Sequence, residues 1–349
     1  MTPLQQIGCA LPIVQAPMAG VQDSRLAIAV GEAGGLGSLP AAMLELATLE
    51  RELKTLDHHL GRRYNLNFFA HAPSAPDPQR EAAWRQLLAP YYAEYACTPP
   101  DGNQAGQRQP FSAAHATLVE KYRPAVVSFH FGLPAGELLA RVKASGAQVW
   151  SSATTVEEAR WLAQRGVDAI IAQGLEAGGH RGMFLSERLD DQLGSFALLP
   201  QIVDAVDLPV IAAGGMVGPA EVCAALALGA CAVQAGTVYL CSDEATTSAL
   251  HRAALQSPAA RHTALTKLFS GRPARGIVNR LMRECEPLQP VIPAFPQAAS
   301  ALAPLRAAAE AAGRDDFTPL WCGQHARCPA RPAGEITRWL ADLDAEADA

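Results

Sequence analysis

The sequence has no excess of positive charge, few aromatic rings, and no lysine where a strand would end. Lysine and arginine number 28 against 34 aspartates and glutamates, a formal net charge of −6, so a basic face for nucleic acid is not expected. Aromatic residues are 6% of the chain, too few for a base-stacking platform. Lys54, Lys121 and Lys143 fall in helical patterns and Lys267 comes late in the chain, which argues against a Schiff-base enzyme. No carboxylates are paired at strand ends, as a glycosidase would need, and no cluster of acids and histidines suits a divalent metal. The eight cysteines show no framework spacing, and a chain of 349 residues does not need disulfide staples. A reducing compartment, the cytoplasm, is the expectation. CGQHARC (322–328) offers three soft ligands but not the fourth that a structural zinc site takes.

Membrane and export signals are also missing. No basic residue precedes Arg25, and Pro12 and Pro17 interrupt the first apolar stretch, so residues 1–20 do not read as a signal peptide. Residues 222–242 carry no charge over a membrane-spanning length. Gly229 divides them, however, into an Ala/Leu-rich helical half and a Val/Tyr-rich strand half. Neither a membrane nor a nucleic acid is expected as a partner.

What is present is a regular alternation. Apolar runs stand at 13–18, 36–42, 64–70, 125–132, 148–154, 169–174, 209–215 and 232–240. Their continuous apolar character fits parallel strands buried on both faces. Helical patterns lie between them: 23–34 opens on Asp23, 134–146 starts with proline and ends in glycine, and 154–166 carries a Thr-x-x-Glu cap. The fold class is α/β. Eight repeats close most naturally into a (β/α)8 TIM barrel, with an open doubly wound sheet as the alternative. The expected layout is a barrel over 1–256 with an insertion of about 73–115 after the third strand. A mainly helical segment, 257–349, follows and packs on the barrel mouth.

Active sites of such barrels form at the C-terminal ends of the strands. That rule gathers Pro17 and Met18, Asn67, His130, Gln173 with His180, Gly214-Gly215, and Gln234-Ala235-Gly236-Thr237. The AQGLEAGGHRG segment (172–182) sets a titratable ring among Gly178, Gly179 and Gly182. A loop of this kind suits backbone approaching a ligand beside a proton-transfer group. Glu176 and Arg181 in the same loop read as its organisers. Glycines and a threonine on strands seven and eight suggest a phosphate cradle. With amides and histidines but no lysine, metal cluster or acid pair, the chemistry points to a bound cofactor, and the amides suit a flavin edge.

Together, PIVQAPMAG, GGLGSLPAA, NLNFFAH, SFHFGLP, AQGLEAGGHRG, PVIAAGGM and QAGT resemble the nitronate monooxygenase family, once called 2-nitropropane dioxygenases. GRPARGIVN and LWCGQ near the C-terminus look similar too. The resemblance implies an FMN-dependent enzyme that oxidises alkyl nitronates, such as propionate 3-nitronate, with O2 to a carbonyl compound and nitrite. It maps the catalytic histidine onto His180 and a second active-site histidine onto His130, where it would clamp the nitro group. FMN contacts map onto Met18, Asn67, Gln173, Gly178, Gly215 and Gln234 through Thr237. Pro17, Gly179 and Gly214 adjoin these positions. A monomer or homodimer is expected.

Two departures stand out. The family tends to carry tyrosines and a basic residue from the C-terminal segment near the flavin. Here 295–309 shows Phe295 and no tyrosine, with Arg306 the basic candidate, and HARCPARP follows LWCGQ. The alternative function is an FMN-dependent NAD(P)H oxidoreductase on the same scaffold, reducing a quinone or an enoyl thioester. A non-catalytic flavin- or phosphate-binding barrel is a third reading.

Overall fold

The computed structural model describes residues 1–100 and 108–343. Residues 101–107 of the expected insertion and 344–349 of the C-terminal segment lie outside the described residues.

The eight apolar runs form eight parallel strands. They are Ile13–Gln15, Ser38–Pro40, Asn65–Phe69, Val126–His130, Gln148–Ala153, Ala169–Gln173, Val210–Ala213 and Ala232–Ala235. The first pairs with the eighth, Ile13 opposite Val233, and the second and each later strand pair with their successors. A parallel bridge between Val14 and Leu36 joins the first strand to the segment entering the second and closes the ring. The TIM barrel is therefore the observed architecture. Asn65–Phe69 and Ala169–Gln173 are buried at every position, the amides Asn65, Asn67 and Gln173 included, as strands covered on both faces require. The eighth run is strand only to Ala235; beyond Gly236 the chain turns through a 3-10 helix, Thr237–Tyr239.

Outside the strands, the main core seats the helices. Asp23 caps Ser24–Glu32 by accepting from the Arg25 amide. Gly37 lets that helix approach the second strand, because a Cβ there would stand 2.0 Å from the Ala27 carbonyl oxygen. Thr155 caps Val156–Gln164 as its spacing suggested. The Glu158 carboxylate does not complete the box: it accepts from the Thr154 amide and hydroxyl and from the Phe184 and Leu185 amides. At the bottom, helix Pro3–Gln6 brings Leu4 into an inner cluster with Val14, Leu36, Trp150 and Ile211.

The two segments outside the bare repeat meet one another. Helix Pro78–Glu94 of the insertion packs against Ala298–Ala311 around Trp84, Leu88, Leu302 and Leu305. Trp84 Nε1 donates to the Ala298 oxygen at 3.2 Å, and the Tyr95 hydroxyl to Asp316 at 2.7 Å. The C-terminal segment also adds a hairpin, Thr263–Thr266 with Ala274–Ile277, that the apolar runs did not announce. Helix Ala333–Leu340 packs on Ser24–Glu32 and Pro219–Ala227, filling the flank after the eighth strand. Its Thr337 shares a 2.9 Å hydrogen bond with the Tyr239 hydroxyl beneath it. Among the described residues no helix is long and apolar enough to cross a membrane.

Candidate active site

A cleft opens at the C-terminal ends of the strands, where the barrel rule placed it. Pro17 and Met18 reach it from the first strand, Asn67 from the third and His130 from the fourth. Gln173, Gly178, Gly179 and His180 come from the sixth strand and its loop. Gly214 and Gly215 follow the seventh; Gln234, Gly236 and Thr237 belong to the eighth. Ala235 alone of the expected set does not line the cleft; its side chain is buried in the barrel wall.

Each position has a local cause. Gln22 Oε1 accepts from the Met18 amide at 2.7 Å and its Nε2 donates to the Ser38 oxygen at 2.6 Å, fixing the turn after the first strand. Asn67 Nδ2 donates to Ser128 Oγ at 2.9 Å. Gln173 spans the loop that carries His180: Nε2 donates to the His180 oxygen at 3.0 Å, and Oε1 accepts from the Gly182 amide at 2.7 Å. Gly214 and Gly215 turn the chain at φ +109° and +80°, a region costly for any residue with a Cβ.

The loop carrying His180 is gripped from the far end of the chain. Gly179–His180 pairs antiparallel with the hairpin, His180 opposite Ala274. Side chains alternate along such a pair. His180 thus faces the cleft while Arg181 is fully buried and binds Gln192 Oε1, the Gly174 oxygen and the Gln173 oxygen at 2.7–3.0 Å. Glu176 likewise holds the loop, accepting from the Ser195 amide and hydroxyl. A Cβ on Gly178 would meet the backbone of Cys322 and Gly323 at 2.6 Å, so this glycine makes room for the C-terminal strap. The strap is tied in turn by the Gly323 amide on Thr237 Oγ1 at 3.0 Å.

The two histidines expected at the site, His130 and His180, both line the cleft. His180 Nε2 lies 2.8 Å from Ser270 Oγ. His130 donates from Nε2 to the His180 oxygen at 3.1 Å, and its Nδ1 pairs with Ser152 Oγ at 2.9 Å, so both ring nitrogens are engaged within the protein. Phe131 follows in the left-handed region at φ +72°, strain of a kind that collects at functional sites. Its ring packs on His130, Phe69 and Phe295. Burial pushes His130 down to about 4, helped by Arg272 and Arg181 and opposed by its bond to the His180 oxygen. His180 is held well below the usual histidine range by burial, then by Arg108, His130, Arg272 and His71. Both are neutral at pH 7.

Several site residues were not legible in the sequence. Arg108, His251, Trp321 and His325 line the cleft, and Ser270 and Arg272 stand behind it. Arg108 lies in a polar part of the insertion that resembles loop, so only the fold reveals its place. Arg306, the expected basic candidate, is paired with Glu310 at 2.6 Å. Phe295 packs against His180 with ring centres 5.5 Å apart. Among the described residues no group of three or more histidines, cysteines or acids could hold a metal.

Comparison with known proteins agrees with this geometry. A family profile described as nitronate monooxygenase matches residues 2–338. A nitronate monooxygenase of Pseudomonas aeruginosa is 41% identical, over 96% of this chain and 97% of the relative. One from Paraburkholderia phytofirmans is 40% identical, over 97% and 93%. Among solved structures, nitroalkane oxidase from Streptomyces ansochromogenes superposes with a TM-score of 0.91 at 40% identity, over 99% of both chains. FabK from Thermotoga maritima, 23% identical, covers 100% of this chain and 97% of its own at a TM-score of 0.70, a likeness of fold.

Proposed function

The chain belongs to the nitronate monooxygenase family, and from that premise we propose that it oxidises alkyl nitronates with O2 to a carbonyl compound and nitrite, using FMN bound at the barrel mouth. The observation that carries the reading is His180, neutral and cleft-facing, set beside a cradle of glycines and amides in the same cleft.

The residues present fit FMN. Gln234 lines the cleft, yet its Oε1 is buried without a partner among the described residues, an acceptor awaiting a donor. Gly214, Gly215, Gly236 and Thr237 would hold the phosphate through backbone N–H groups and a hydroxyl. Met18, Asn67 and Gln173 would border the ring, with Pro17, Gly178 and Gly179 closing the wall. When bound, FMN supplies the redox chemistry between the nitronate and O2.

The chain's own residues supply position and a proton site. His180 meets the nitronate oxygens, and the arriving negative charge raises its proton affinity toward the usual range. With a neutral nitroalkane the same ring takes the α-proton as general base. His130 and Gln173 both donate to the His180 oxygen and hold that backbone still. His130 is therefore proposed to act through His180 rather than by free ring nitrogens. The apolar surfaces of Phe69 and Trp321 keep water from the reacting atoms.

The test is to mix the purified yellow protein with propionate 3-nitronate without oxygen, then admit air. A spectral change in the flavin band followed by nitrite release supports the function. A spectrum indifferent to nitronate but bleached by NADH overturns it in favour of an NAD(P)H oxidoreductase.

A further inference from the structure

We propose that Arg108 is a specificity residue of this cleft, its guanidinium recognising the negative charge of the substrate and so selecting nitronate over the neutral nitroalkane. The proposal rests on the function given above and assigns the selection to a residue of the inserted segment.

Three observations carry it. First, Arg108 is the single fixed charge among the described residues that line the cleft; no aspartate, glutamate or lysine joins it. The histidines do not substitute for it. His130 and His251 are pushed down to about 4 by burial, and His180 lies lower than usual as well. An anion entering the cleft meets one full opposite charge.

Second, no described carboxylate balances that charge. Burial and the neighbouring Arg306 cation both work against the charged form of Arg108. A half-buried guanidinium without a counter-ion carries a desolvation cost that an anionic ligand relieves. Arg272 is placed differently: its guanidinium stacks 4.2 Å over the Phe131 ring, and its Nη1 donates to the Met183 oxygen. It adds to the field but does not line the cleft.

Third, Arg108 and His180 line the same cleft, and Arg108 is the first of the cations that hold His180 low. The guanidinium therefore shares the cleft with the proposed proton-transfer group, where the nitronate oxygens belong. Its planar fork matches two oxygens on one atom, as it matches a carboxylate. A nitronate presents that pair with a negative charge; a nitroalkane presents it without one.

The experiment compares holoenzyme carrying Arg108→Gln or Arg108→Lys with the wild type, using ethyl nitronate as substrate and nitrite as a non-reacting planar anion. In the wild type, KM for ethyl nitronate rises with ionic strength, as screening of a charge pair requires. In R108Q, KM at low salt rises about 10-fold or more, as loss of a charge-assisted hydrogen bond predicts. Its salt response flattens, and the loss falls on KM more than on kcat. R108K recovers part of the loss, and nitrite affinity measured by calorimetry follows the same order. Unaltered KM, salt response and nitrite affinity in R108Q overturn the assignment while leaving the nitronate function standing. Equal loss in R108Q and R108K, confined to kcat with a lowered melting temperature, also overturns it. A wild type that ignores ethyl nitronate yet binds nitrite in an Arg108-dependent way keeps the anion site and removes the nitronate reading.

Discussion

His130 Nε2 lies 3.1 Å from the main-chain oxygen of His180. A carbonyl oxygen can only accept, so His130 carries its proton on Nε2, and its Nδ1 accepts from the Ser152 hydroxyl. One histidine therefore fixes the backbone of the other. Gln173 adds a second donor to the same oxygen, and the loop is held from the fourth and sixth strands together.

Removing each ring separates their roles. His180→Asn is expected to lower turnover of nitroethane by about 10²–10⁴-fold, the range for loss of a general base. His130→Ala is expected to cost less, about 10-fold, because it loosens a loop that Gln173 still holds. Steady-state nitrite production checks both, and equal losses would contradict the division of roles.

Stability should depend on pH through the buried histidines. His71, His130 and His251 are each pushed from 6.5 to about 4, with burial the leading cause. The unfolded chain therefore binds more protons than the folded one between those values. The stability they contribute is fully present above pH 6.5 and is lost as pH falls toward 4. Melting temperature, followed from pH 7.5 to 4.5, should decline through that window. His251→Asn should flatten the decline.

Arg181→Met tests the loop's foundation. The change takes the Arg181 donors from the Gln173 oxygen and from Gln192 Oε1, while the Gly174 oxygen keeps only the Ala177 amide. A loss of about 3 kcal/mol is expected from buried acceptors left unpaired. Urea unfolding should show a lower midpoint with an unchanged slope.

Gly178→Ala tests the strap. The new methyl would sit 2.6 Å from the Cys322 and Gly323 backbone, which cannot yield as a flexible side chain would. The strap carrying Trp321 and Gly323 should move away from the cleft and weaken cofactor retention. Flavin content after gel filtration should fall relative to wild type. Gly179→Ala should also be strained, for a different reason: open space surrounds it, but its φ is +71°.

The sequence by itself determined a parallel sheet of eight strands covered by helices. Eight apolar runs with helical patterns between them bury both faces of every strand in a closed or an open parallel sheet, and the strand ends of either fall on one side. The pairing of the first strand with the eighth and the Val14–Leu36 bridge decided for the closed barrel. That is why Met18, Asn67, His130, Gln173, His180, Gly214 and Gln234 could be gathered before any contact was seen. Arg181 and Glu176 were also legible as loop organisers, since a charged residue among glycines has few other ways to be satisfied.

Only the tertiary structure decided what reaches the cleft from outside the repeat. Pairing of Ala274–Arg275 with Gly179–His180, the arrival of Ser270 at His180, and the entry of Arg108 from the insertion join residues distant in sequence. Those segments lack a simple apolar period because each packs on irregular partners, so no local pattern reports where they go. The field on His180 has the same origin: it depends on burial and on cations brought together by packing, and neither is written along the chain.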